Sequence, residues 1–430
     1  MYNGSGEHAF NRLYLTFRRI NEMKRILILA SIGNVLEFYD FLLFGLLTPL
    51  FAPIFFPSEH AWLSYLQAYA AFAAGFLTRP FGGWFLGIVG DKFGRKTALT
   101  CSMIGMALAT LSIGFLPGYA SIGVIAPVSL LFFRLIQGIS AGGEYHGAGI
   151  TVLENSESKY KFLVTAVVSA SATIGGCLAS AVSLMFLLLP LPSWSWRCPF
   201  ILGGVVGIIG WYARLYLPNT KIEAKDAKSI NIFEFSILWN KYLRSSICAI
   251  AVAAMSVGPF YTATLFAPSY LLSRGLINKP TMLLMNIASF ICLGTLGVLV
   301  GMLSRKYLVW KMMMLGAVLV AFCAFPFFWI LKTGDVKLIT MAQIIFTGVS
   351  QLYASFGLGW VLQLFPAQAR YRASAFCYNL GVALFCGTIP MISESLIHYT
   401  GITSSPAFYT IAVCVIGFLA VFYSKDHYHT

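Results

Sequence analysis

Twelve stretches of this chain are apolar enough to cross a bilayer, and they leave almost no room for any other kind of fold. They run approximately over 26–50, 61–89, 97–116, 122–153, 162–190, 198–217, 244–272, 281–303, 308–331, 337–365, 373–397 and 405–424. A spanning helix needs about 20 predominantly apolar residues. Hydrocarbon offers no water to unpaired backbone groups, so single runs of this length must close their hydrogen bonds as helices. The sequence therefore predicts an all-α membrane protein with twelve transmembrane helices. Only 10% of its residues are charged, against roughly 25% in a soluble domain. Runs of 28 residues or more are expected to tilt or to extend beyond the bilayer.

Charge distribution gives orientation. The net charge is +14, which in a soluble chain could point to nucleic acid. Here 22 of the 29 Lys and Arg fall in segments on the same side as the N-terminus, and five on the opposite side. The remaining two are Arg79 and Arg134, inside spans. That asymmetry is the positive-inside pattern and predicts both termini in the cytoplasm, with no nucleic-acid partner. Nine cysteines show no C-x-x-C pair and read as small apolar residues rather than disulfide or metal ligands. No small-residue cleavage site follows the apolar run after Ile26, so the first span is expected to be retained.

The longest polar interruption, Pro218 to Lys241, divides the spans six and six. The expected organisation is an N-terminal segment 1–25, a six-helix bundle 26–217, a linker 218–243, a second bundle 244–424 and a tail 425–430. The halves echo each other. Gly87-Ile-Val-Gly-Asp-Lys-Phe-Gly-Arg-Lys96 after span two and Gly301-Met-Leu-Ser-Arg-Lys-Tyr307 after span eight start 214 residues apart. Lys159-Tyr-Lys161 and Arg370-Tyr-Arg372 are 211 apart. Parallel six-span repeats that rock around a midplane site are one construction of secondary transporters.

Ionisable residues inside apolar spans are costly and mark pathways for ions or substrates. Glu37 and Asp40, three apart, share one helix face. Two close carboxylates in a low dielectric do not readily both ionise, which suits a reversible proton carrier; pairing with arginines for assembly alone is the other reading. Arg134 lies about 12 residues, or roughly 18 Å, along its helix, and Glu37 about 11 residues, or roughly 16 Å, from the opposite face, so the two reach similar depth and could interact. Glu144 follows in the same span, whose glycines permit close helix approach. Arg79 is placed nearer the cytoplasmic end, and His146 reads equally as a packed residue or a proton relay. Arg95 and Lys96 open span three at its positive dipole end, where Asp91 and Glu154 are the expected counter-charges. With Gly90 and Gly94 they would form a cytoplasmic gate.

The order Gly90-Asp-Lys-Phe-Gly-Arg-Lys96 resembles the signature loop of the major facilitator superfamily. Gly33-Asn-Val-Leu-Glu-Phe-Tyr-Asp-Phe41, Arg79-Pro-Phe-Gly-Gly83, Arg134 to Glu144, Phe365-Pro-Ala-Gln-Ala-Arg-Tyr371, Tyr378-Asn-Leu-Gly381 and Gly387-Thr-Ile-Pro390 together resemble its metabolite:proton symporter family, and within it bacterial proline/betaine transporters. The likeness spans nearly the whole chain. It implies two pseudo-symmetric bundles, a monomeric functional unit in the bacterial inner membrane, no cofactor, and uptake of a small zwitterionic osmolyte with protons by alternating access. The second-half loop departs from the pattern, with Arg305 and Leu308 where the first has Asp91 and Gly94. Osmosensing members carry a C-terminal coiled coil, whereas residues 425–430 follow the last span here, so activation through such a tail is not expected.

Proton coupling is thus expected at Glu37, Asp40, Arg134 and Glu144. Substrate contacts are expected at Tyr39, Arg134, Gln137, Tyr145, Gln351, Trp360, Tyr378 and Asn379, the aromatic faces attracting a quaternary ammonium. A symporter of an organic acid such as α-ketoglutarate or citrate, and a transport-dead membrane sensor, are the alternatives. No Gly-x-x-x-x-Gly-Lys-Ser/Thr loop for an ATP-driven pump occurs, and no nucleophile–base set or metal cluster for an enzyme.

Overall fold

The computed structural model describes residues 4–189, 192, 194–216 and 237–428. Most of the expected linker 218–243 lies outside them. The described chain is helical throughout, with short connections. Its twelve long helices are α1 (Gly4–Phe55), α2 (Ala61–Phe93), α3 (Arg95–Phe115), α4 (Ile125–Glu154), α5 (Lys161–Leu188), α6 (Arg197–Arg214), α7 (Leu243–Ser273), α8 (Lys279–Leu303), α9 (Val309–Ile330), α10 (Val336–Gln363), α11 (Arg370–Thr400) and α12 (Pro406–Ser424). Eleven of these are long and apolar enough to span a membrane; α6, with an arginine at each end, is the shortest. Helix α1 starts well before its apolar run, because no proline interrupts residues 4–25 and a helix can continue into the polar side.

Helices α1–α6 pack mainly on one another, as do α7–α12. The most extensive contacts between the halves are α2 with α11 and α5 with α8, and α5–α10, α4–α11 and α4–α10 add to them. In a six-helix repeat α2 corresponds to α8 and α5 to α11, so the same contact is made twice. Small residues let it form. A Cβ on Gly87 would collide with the backbone of Arg372 across the α2–α11 seam.

Helices α7 and α11 are each interrupted by a five-residue π-helical stretch, Thr262–Phe266 and Val382–Cys386. The cause is local. Pro268 and Pro390 lack the N–H that would donate to Thr264 and Cys386, and a wider turn accommodates the loss. Ala267 N–H instead reaches back to Thr262 O, and Gly387 N–H to Val382 O at 2.9 Å.

Candidate functional site

Helix α1 carries Asn34, Glu37 and Asp40 on successive turns of one face, and all three are buried. Asn34 Nδ2 donates to Val168 O at 2.8 Å and to Ser171 Oγ at 2.9 Å, fixing α1 against α5. One turn on, Glu37 Oε1 lies 3.2 Å from Arg79 Nη2. This contact is electrostatic rather than an aligned hydrogen bond. Neither carboxylate oxygen of Glu37, nor Nε or Nη2 of Arg79, has a hydrogen-bond partner among the described residues. The Arg79 guanidinium rests over the rings of Phe41, 4.2 Å, and Phe76, 5.3 Å, as expected for a weakly hydrated planar cation.

Sequence reasoning joined Glu37 to Arg134 and put Arg79 near the membrane edge; the structure pairs Glu37 with Arg79. Helix α2 continues to Phe93, so Arg79 lies about 14 residues, or ~21 Å, from that end and reaches mid-depth. Arg134 communicates with Asp40 instead, through two bridging side chains. Thr110 Oγ1 donates to Asp40 Oδ2 at 2.7 Å, Gln137 Nε2 donates to Thr110 Oγ1 at 2.7 Å, and Arg134 Nη1 donates to Gln137 Oε1 at 2.8 Å. Its guanidinium is boxed by Phe44, Phe41 and Phe72 at 4.3, 5.1 and 5.2 Å. A buried carboxylate and a buried guanidinium are therefore coupled across α1, α3 and α4 without touching.

Glu144 is held differently. Arg214, at the end of α6, grips both its oxygens, with Nη1 2.7 Å from Oε2 and Nη2 close to Oε1. Ser102 Oγ donates to Oε2 at 2.5 Å. Arg214 also donates to Leu99 O and Ala30 O at 3.1 and 3.2 Å, so one guanidinium ties α1, α3, α4 and α6 together. Sequence reasoning missed Arg214 because a lone arginine at the end of a span looks like any positive-inside anchor. The nearby Glu144 was the available signal, since a buried carboxylate needs a partner.

Across the seam between the halves the rings of Tyr145 on α4 and Tyr378 on α11 approach to 5.7 Å, and His146 to 4.8 Å of Tyr378. The Tyr145 and Ser169 hydroxyls are 2.7 Å apart, and Phe38 lies 6.5 Å from Tyr145. Phe76 on α2 meets Tyr261 on α7 at 5.7 Å. Asn379 Nδ2 donates to Gly142 O at 2.8 Å, and Tyr371 OH to Gly143 O at 2.7 Å. The other expected substrate contacts are engaged in packing. Tyr39 OH donates to Pro199 O at 3.0 Å, Trp360 Nε1 to Ser424 Oγ at 3.0 Å, and Gln351 Oε1 accepts from Ser355 on its own helix at 3.3 Å.

The α2–α3 turn brings the expected gate residues together. Gly94 has φ 97, a value L-residues with a Cβ rarely adopt. Buried Arg95 binds Asp91 at 2.5 Å and Glu154 at 3.2 Å, while its guanidinium sits 5.3 Å from the Tyr371 ring. Gly90 packs against that same ring. Arg372 of the second half approaches Asp91 at 3.9 Å. Lys96 takes another part, its Nζ donating to Leu215 O at 2.5 Å beyond the end of α6.

Twelve long apolar helices in two joined sets, with charged pairs buried among them and aromatic rings lining the seam, define a secondary transporter of small molecules rather than an enzyme. The family model described as Major Facilitator Superfamily matches residues 31–376, and the chain belongs to that superfamily. A candidate proline/betaine transporter of Staphylococcus haemolyticus is 32% identical over 407 residues, covering 93% of this chain and 86% of the relative. The proline/betaine transporter of Escherichia coli K12 is 28% identical, covering 93% and 82%. The glycine betaine/proline/ectoine/pipecolic acid transporter OusA of Dickeya dadantii is 28% identical, covering 94% and 83%. Among solved structures, the proton:xylose symporter XylE bound to 6-bromo-6-deoxy-D-glucose superposes with TM-score 0.76 at 14% identity, over 95% of this chain and 96% of that one.

Proposed function

We propose that the protein imports a small zwitterion of the proline or glycine betaine type together with protons, across a bacterial inner membrane, with both termini cytoplasmic. The observation that carries this reading is the Glu37–Arg79 pair at the seam, facing the aromatic residues of both halves. Opening a buried ion pair leaves two uncompensated charges, at several kcal/mol. A zwitterion supplies both replacements at once, its carboxylate to Arg79 and its ammonium to Glu37 and the tyrosine faces. A simple anion would leave Glu37 unpaired. The hydrogen-bonding capacity that Glu37 and Arg79 do not use toward described residues is what such a ligand would take up.

Asp40, linked to Arg134 through Thr110 and Gln137, is the proposed proton carrier. Its protonation would release Arg134 electrostatically, and the bridging side chains would transmit that change to α3 and α4. The Glu144–Arg214 clamp is assigned to assembly, which removes Glu144 from the carrier set. Contacts at the α2–α3 turn close the cytoplasmic side, and their loss would accompany rocking of residues 26–217 against 244–424 within one monomer.

The test is uptake by the purified protein in liposomes under separately imposed proton and sodium gradients, with labelled proline, betaine, α-ketoglutarate and citrate. Proton-driven accumulation of a zwitterion is expected. Glu37→Gln should abolish uptake, whereas Asp40→Asn should abolish accumulation and spare exchange. Competition by α-ketoglutarate without competition by proline would transfer the protein to the organic-acid reading. Binding without counterflow would make it a sensor.

A further inference from the structure

His146 on α4 is the one buried histidine among the described residues, 1% exposed, and the proposed transport chemistry leaves it unused. Neither ring nitrogen has a hydrogen-bond partner among those residues. The ring stands at the seam between the halves, edge to face with Tyr145 at 5.5 Å and with Tyr378 of α11 at 4.8 Å. The nearby Tyr145 hydroxyl is engaged with Ser169 instead. Helix crossings fix the level of the ring. A Cβ on Gly142 would collide with Arg79 O and Gly83 N, so α4 crosses α2 beside Arg79. Asn379, next to Tyr378, donates to Gly142 O and brings α11 to the same level. His146 is one turn on, about 6 Å along the helix. Helical side chains lean back towards the N-terminus, here towards Arg79. Phe38, which follows Glu37, packs on Tyr145 at 6.5 Å. The imidazole thus shares its part of the seam with the Glu37–Arg79 pair.

We propose that His146 accepts a hydrogen bond from the ammonium of the substrate, and so favours zwitterions that retain an N–H over fully methylated ones. An uncharged imidazole carries one N–H donor and one lone-pair acceptor. A tyrosine face can receive the N–H, but it cannot satisfy the lone pair. A proton relay would need a second proton-carrying group bonded to the ring, and none of the described residues makes that bond. The tyrosine faces attract any ammonium, methylated or not. The imidazole alone tells the two kinds apart, because a quaternary ammonium leaves its lone pair unsatisfied in a desolvated seam. Proline gains from His146, and glycine betaine does not. This inference rests on the zwitterion reading and adds to it a determinant of specificity.

The experiment uses the full chain in liposomes and measures KM for N,N-dimethylglycine and glycine betaine, which differ only by a methyl in place of the N–H. His146→Phe keeps a planar ring and removes both nitrogens. It should lower the ratio of the betaine KM to the dimethylglycine KM about tenfold, the worth of a hydrogen bond to a charged group. His146→Gln, which keeps an acceptor, should retain most of the ratio. A second reading needs no altered transporter. In wild-type protein carrying 15N-histidine, dimethylglycine should move the acceptor-nitrogen resonance of His146 upfield, and betaine should not; the signal is identified by its loss in His146→Gln. An unchanged ratio in His146→Phe, uptake of betaine with none of dimethylglycine, an equal shift by both ligands, or no shift by either would overturn the proposal and leave His146 a packed residue. Failure of the wild type to take up proline, dimethylglycine and betaine alike would overturn the zwitterion reading itself, and this inference with it.

Discussion

The two halves of the molecule share a helix plan but not a chemistry. Among the described residues, every buried Asp, Glu and His lies in α1–α6: Glu37, Asp40, Glu144 and His146. So do the buried arginines Arg79, Arg95, Arg134 and Arg214, leaving Arg372 as the buried charge of α7–α12, and that one faces Asp91 of the first half. The second half answers with amides and hydroxyls, such as Asn286, Gln343 and Ser350, and with both π-helical stretches. Buried charges need fixed partners, and their networks rigidify what they cross-link. Wide helical turns exchange the regular i→i−4 bonds for i→i−5 bonds and are frequent at functional sites. One half carries the cross-linked charges, and the other carries the helix irregularities.

That contrast can be broken by experiment. The largest effect is expected at Arg214. Replacing it with alanine strands Glu144 as an uncompensated buried charge, and the loss should be about 3–5 kcal/mol, read as a lower unfolding midpoint in detergent. Adding Glu144→Gln should recover part of it. An equal loss from any single polar-to-apolar change inside the second half would end the comparison.

A middle-sized effect is expected where the halves touch. Tyr371→Phe removes the hydrogen bond to Gly143 O. A net value of about 1 kcal/mol for such a bond shifts the population of the state closed at the α2–α3 turn roughly fivefold. Distances between spin labels on the α2–α3 and α10–α11 connections, measured by pulsed electron resonance, would report it. The smallest effect is expected deep in the second half. Gln343 Nε2 donates to Asn286 Oδ1 at 3.4 Å, and interhelical bonds of this kind in membranes average about 0.6 kcal/mol. Gln343→Leu should cost no more than that in unfolding free energy and leave uptake unchanged.

The fold was legible because hydrocarbon leaves the backbone few choices, so runs of apolar residues translate almost directly into helices. The π-helical stretches were not, since Pro268 and Pro390 announce a disturbance without saying how the turn absorbs it. At the site, spacing alone put Glu37 and Asp40 on one face, and the Gly90 to Lys96 order brought out Asp91 and Glu154 as the counter-charges of Arg95. Partner choice among buried charges escaped it. Depth along a helix does not give azimuth, and so Arg79 rather than Arg134 meets Glu37. Trp360 and Tyr39 illustrate the same limit, because an aromatic ring in a span carries no mark that separates a wall of the seam from a hydrogen bond to the next helix.

The fastening between α4 and α11 has an evolutionary corollary. Its acceptors are the main-chain carbonyls of Gly142 and Gly143, which no substitution at those positions can delete, while its donors are the side chains of Asn379 and Tyr371. Sequence change can therefore delete these two bonds only from the α11 side, because a carbonyl on α4 survives replacement of the residue that bears it.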